Sequence, residues 1–97
     1  MSATRVERIT ALLQAALAPD VLEVVDDSRR HAGHAGARHG RGHVNVAIVS
    51  TAFAGMRPLA RHRAVYAALG NLMETDIHAL AIAAHTPEEA AARSGQA

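Results

Sequence analysis

Four of the seven histidines in this 97-residue chain fall between positions 31 and 43, in the run H-A-G-H-A-G-A-R-H-G-R-G-H. Neutral imidazole is the commonest metal ligand in proteins, and the interspersed glycines let a backbone bend around whatever the imidazoles hold. The segment therefore reads as a metal-binding candidate through His31, His34, His39 and His43, or as a solvated loop whose histidines have no task. Its internal position and uneven spacing exclude an expression tag. His78 stands near the start of an otherwise apolar run, I-H-A-L-A-I-A-A, in phase with Leu80 and Ile82. Alone it reads as a hydrogen-bonded structural histidine; it becomes a ligand if the His-rich loop lies over the entrance of that run. Two imidazoles leave an ion short of ligands. More loop histidines could complete a zinc, nickel or copper site without any partner, or a second protein could bring thiolates.

Other chemistry is sparse. The chain has no cysteine, which excludes disulfides, thiolate nucleophiles and any thiolate-only cluster or zinc site of its own. Adjacent carboxylates occur only as Asp26-Asp27 and Glu88-Glu89, which diverge in a strand and cap a helix respectively. No nucleophile elbow, phosphate loop or HExxH pattern is present, and Ser28 and Ser50 lack an assignable base. An enzyme is hard to build from these residues. Gly33-His-Ala-Gly36 matches the short glycine pattern that clamps nucleic-acid backbone in KH domains, but it lies between two strands rather than two helices. Arg57, Arg61 and Arg63 are candidate contacts for phosphate or a partner, against a plain reading as a solvated helix face.

The elements that must position these residues follow from periodicity. Thr4-x-x-Glu7 is a capping box, and Val6, Ile9, Leu12, Leu13, Ala16 and Leu17 recur at helical spacing until Pro19 closes the helix. Residues 21–27 form a short β-branched strand, and a second strand beginning at His43 places Val44, Val46 and Ile48 on one face, so the two make a hairpin with a long loop over 28–42. Phe53 is expected to plug the core, Gly55 to end a short helical turn, and Pro58 to open a helix running from Leu59 to about Met73. Its inner stripe would be Leu59, Tyr66, Leu69 and Met73, with the three arginines outside. Residues 77–84 read as a covered strand, Thr86-Pro-Glu-Glu89 as a second capping box, and residues 93–97 as a frayed tail.

The order α-β-β-α-β-α predicts an α+β fold, a three-stranded sheet with helices packed on it, as one domain over residues 1–97. Only Phe53 and Tyr66 are aromatic, so the core must be aliphatic. All ten basic residues are arginine, but a net charge of +1 is too balanced to argue for nucleic acid or a membrane surface. No run reaches the length of a signal peptide core or a membrane span, and a cytoplasmic protein is the simplest expectation.

Four blocks carry a resemblance: S-R-R-H-A-G-H, then H-V-N-V-A-I-V-S-x-x-F-x-G-M, then L-A-R-H-R-A-V-Y-A-A-L, then I-H-A-L-A-I-x-A-x-T-P-E-E. In order and spacing they resemble the BolA family, over essentially the whole chain. The resemblance implies a fold related to class II KH domains and a non-enzymatic partner of monothiol glutaredoxins in iron-sulfur trafficking or iron regulation. It also implies a 2Fe-2S cluster bridged between the two proteins, with a glutaredoxin cysteine and glutathione on one iron. His78 would match the family's histidine at the third strand, and His31 its loop ligand, with His34 next. The isolated chain would then hold no cofactor. Imidazole ligation leaves such a cluster less negative and raises its potential, as in Rieske centres. The alternative that the resemblance implies is a DNA-binding regulator of stress and morphology genes, and a weak homodimer is a further expectation.

Overall fold

The computed structural model describes residues 4–27 and 42–94. Helix α1 spans Arg5–Leu17, strand β1 Val21–Asp26 and strand β2 Gly42–Val49; a 3-10 turn over Thr51–Phe53 leads to helix α2, Pro58–Leu69. A short helix α3, Leu72–Thr75, precedes strand β3, Ile77–His85, and helix α4, Pro87–Ser94. The expected α+β architecture is therefore present, with the short α3 added. The proposed loop and its residues His31, His34 and His39, together with the Gly33–Gly36 pattern, lie outside the described residues.

The capping box predicted at the first helix forms: the Glu7 backbone N–H donates to Thr4 Oγ1 and the Thr4 N–H to the Glu7 carboxylate. It closes two of the donors that a helix start leaves open. Thr86 and Glu89 do the same at α4. Strands β1 and β2 pair antiparallel, from Val21 against Val49 to Asp26 against Val44, while β2 and β3 pair parallel, giving the order β1-β2-β3. A parallel pair needs a long crossover, which the turn, α2 and α3 supply.

Helices α1 and α2 pack on one sheet face. Val44, Val46 and Ile48 of β2 meet Ile9 and Leu13 of α1, Val65 and Leu69 of α2, Ile77 of β3, and Phe53. Buried Ser50 ties this core to the end of α1, its hydroxyl donating to Leu17 O at 2.6 Å and accepting from Ala52 N–H. Among the described residues, no helix is long and apolar enough to cross a membrane.

Helix α2 departs from the expected stripe in two respects. It ends at Leu69, because Gly70 adopts φ 53°, a left-handed conformation that glycine takes without strain. It is also rotated: Leu59 is 61% exposed and Tyr66 41%, whereas Val65 and Leu69 are buried and the Arg61 side chain is only 11% exposed. The rotation follows from Arg61. Its guanidinium donates to the Met56 and Ala84 carbonyls and, bidentately, to the Glu89 carboxylate, and it lies 5.9 Å from the centre of the Phe53 ring.

Candidate functional site

At one end of the sheet, β1 finishes while β2 and β3 begin. Asp27 N–H donates to His43 O at 2.7 Å, and Gly42 N–H to Asp76 O at 2.8 Å, so the three strand ends are stitched together. The first turn of α1 reaches the same place, where Arg5 pairs with Asp26 at 2.7 Å and Arg8 pairs with Asp76. The Thr75 hydroxyl, and after it Arg8, hold the Asp76 carboxyl below the usual carboxylate range. The positive charges of α1 at this corner are thus matched by carboxylates.

His43 and His78 meet here, with ring centres 5.4 Å apart and planes tilted by 55°. A local irregularity brings them together. Gly42 pairs with Ile77, but His43 pairs with Ala79, so β3 has one more residue than β2 at this point. That residue is His78, and the arrangement is a β-bulge, which redirects side chains in a strand. Strict alternation in phase with Leu80 and Ile82, as the sequence reading expected, would turn His78 toward the helices. Instead Ile77 is fully buried and His78 is exposed. Burying an isoleucine side chain gains about 2–3 kcal/mol, whereas a buried imidazole needs a hydrogen-bond partner. The bulge puts Ile77 in the core and leaves His78 outside, next to His43.

His43 is half-buried and lines a shallow cleft of about 190 Å³ with Asp27, Asn45 and Ala79. Two imidazoles on one ion, each with its nitrogen about 2 Å from the metal, have ring centres roughly 5 Å apart. The observed separation fits that geometry, and the tilt is not that of a stacked pair. Of the predicted ligands, the structure thus places His78 and leaves His31 and His34 outside the described residues. Beside it stands His43, one of the four histidines that the sequence reading took as candidate ligands of a self-contained site. The signal lay in G-H-V and I-H-A, two strand starts whose parallel pairing sets their histidines side by side.

The predicted arginine contacts separate. Arg57 and Arg63 are exposed, whereas Arg61 sits in the internal network above, and a phosphate would have to displace Glu89 to reach it. A groove of about 680 Å³ runs beside this network, lined by Pro58, His62, Ile82, His85 and Arg93 among others, at the opposite end of β3 from the histidine pair. Hydrogen bonds from Arg61, then from the Thr86 N–H, lower the Glu89 carboxyl to about 2, with smaller help from the charges of Arg61 and of His85, whose Nδ1 lies 3.8 Å away. A carboxyl lowered on folding adds stability above its unfolded value and loses it as pH falls through the folded one. Wild-type melting temperature should therefore fall more steeply than that of Glu89→Gln between about pH 4.5 and about pH 2, and the two curves should converge. Parallel curves over that window would show that the pair adds no stability.

The chain matches the family model described as BolA-like protein over residues 13–89. It is 47% identical over 81 residues to BolA-like protein 1 of Mus musculus, covering 84% of this chain and 57% of the mouse protein. It is 45% identical over 83 residues to the DNA-binding transcriptional regulator BolA of Escherichia coli, covering 86% of this chain and 76% of that protein. The structure matches that of BolA1 from Arabidopsis thaliana with a TM-score of 0.79 and 41% identity, over 92% of this chain and 98% of the other. The chain spans a little over half the length of the mouse, human and Arabidopsis relatives.

Proposed function

This chain belongs to the BolA family, and from that premise we propose that it is a non-enzymatic partner of a monothiol glutaredoxin, sharing a bridging 2Fe-2S cluster through histidine ligands. The observation that carries the reading is the His43–His78 pair: two imidazoles at one corner of the sheet, spaced as two ligands of one metal. His78 supplies one imidazole. The second comes from His31, the position the family resemblance indicates, or from His43. A cysteine-free chain cannot hold a cluster with thiolates, so glutaredoxin and glutathione thiolates complete the ligand set. When bound, the cluster supplies one-electron chemistry at a potential that imidazole ligands raise. The chain's own residues present the ligands: the bulge aims His78, the Asp27 N–H holds the His43 backbone, and the ion pairs from α1 brace the corner.

Mixing the protein with cluster-loaded, glutathione-bound monothiol glutaredoxin should change the visible absorption and circular dichroism. His78→Ala should abolish the change. His31→Ala and His43→Ala report which residue is the second ligand. A mixture whose spectrum equals the sum of its parts overturns the reading.

A second reading, DNA-binding regulation, rests on what the Escherichia coli relative is called and on exposed Arg57 and Arg63. It requires binding that weakens steeply with salt and loses about one unit of salt slope with each arginine removed. A titration showing no binding at moderate salt removes it.

A further inference from the structure

We propose that the groove between α2, the outer edge of β3 and α4 is a docking site for an acidic, extended peptide segment of a partner protein, which adds to β3 as a fourth strand. The groove lies at the opposite end of β3 from the histidine pair, so the proposal goes beyond the shared-cluster reading and needs neither metal nor cluster.

Backbone direction provides the first support. Strand β3 stands at the edge of the sheet, in the order β1-β2-β3. The His85 carbonyl turns toward β2 and accepts from the Ser50 N–H at 2.9 Å, whereas the Ala84 carbonyl faces the other way and accepts from Arg61 at 3.1 Å. Backbone groups alternate in direction along a strand, so Ile82 shares the outward orientation of Ala84, and both residues line the groove. Such an edge is a template for another strand: main-chain bonds supply affinity, and contacts to alternate side chains supply selectivity.

Charge selects the peptide. Among the described residues lining the groove, the one carboxylate is Glu89, and both its oxygens are engaged by Arg61, at 2.6 and 3.0 Å. The other polar groups are the imidazoles of His62 and His85 and the guanidinium of Arg93, which is exposed in the last turn of α4. These present donors and positive charge to carboxylates. The floor is apolar, from Pro58, Ile82, Ala84 and Ala92. A segment alternating apolar and acidic side chains matches an apolar floor with a cationic rim. A nucleic-acid backbone matches it less well, because phosphates need a row of available cations and Arg61 is committed to Glu89.

The test is selection of random octapeptides displayed on phage against the full chain, followed by fluorescence anisotropy with the enriched peptide made synthetically. Enriched sequences should carry carboxylates alternating with apolar residues. Affinity should fall about tenfold or more with Arg93→Glu, and likewise when the peptide is N-methylated so that it cannot pair with a strand. Arg93 is exposed, so its replacement probes charge and not folding. In wild type, the bound peptide should slow amide hydrogen exchange at Ile82 and Ala84. No enrichment, enriched peptides without carboxylates, undiminished binding after either change, or protection confined to other strands would each overturn the proposal. So would a single-stranded oligonucleotide that shields these amides where the peptide does not. Metal and glutaredoxin are absent throughout, so the outcome is independent of the spectral mixing experiment.

Discussion

Phe53→Ala should remove about 3–5 kcal/mol of the protein's stability, a large share of the total. Phe53 is fully buried in the core, and Tyr66 is 41% exposed, so this ring is the only aromatic volume among the buried residues. The rest of that core is Ile, Leu and Val, which cannot expand to fill the space. Truncating a buried phenylalanine costs about 3–5 kcal/mol, from lost transfer energy and from the cavity left behind. A domain of this size is stable by about 5–15 kcal/mol in total. The variant also removes the ring beneath the Arg61 guanidinium, loosening the point where α2, β3 and α4 meet. Urea denaturation followed by circular dichroism checks this: the unfolding free energy should fall by about 3–5 kcal/mol, with a lower midpoint. An unfolding free energy within about 1 kcal/mol of wild type would mean that the 3-10 turn is not a structural plug. Phe53→Leu, which keeps most of the volume, should lie between the two.

Ile77→Ala should cost about 2–5 kcal/mol and also loosen the histidine pair. Ile77 is fully buried at the first position of β3, and His78 is the extra residue of the bulge that follows. The two effects share one cause. The inward pull on Ile77 keeps the bulge in place, and with only a methyl group there, alternation in phase with Leu80 and Ile82 becomes competitive. The check is a denaturation midpoint together with ring-to-ring nuclear Overhauser effects between His43 and His78, measured where the variant is still folded. Reduced stability with an unchanged ring contact would show that the bulge is held by something other than Ile77. Ile77→Val, which keeps a branched side chain, should lose only about 0.5–1.5 kcal/mol and retain the contact.

Much of this architecture could be read from local patterns, because the signals were themselves local. Thr4 and Glu7, like Thr86 and Glu89, satisfy donors three residues away, so their spacing identifies a helix start wherever the chain goes next. Val44, Val46 and Ile48 alternate over a short strand, and all three are buried as expected. Helix α2 was harder. Its hydrophobic residues are spread around the axis, so Leu59 and Tyr66 looked as suitable for the inside as Val65. Long-range bonds decided the matter, since Arg61 had carbonyls and a carboxylate to meet on β3 and α4. No periodicity in residues 58–69 contains that information.

The sequence alone determined the order of elements, the aliphatic core around Phe53, the absence of thiolate chemistry and the membership that the BolA-like blocks reveal. Each of these depends on composition or on residues within a few positions of one another. Only the tertiary structure decided which histidines meet. His43 and His78 are 35 positions apart in sequence. Their contact requires a parallel pairing through a helical crossover and a one-residue bulge that buries Ile77 and turns His78 outward. A bulge is the outcome of a competition between two side chains for one buried place against a particular neighbouring strand, and that neighbour exists only once the chain has folded.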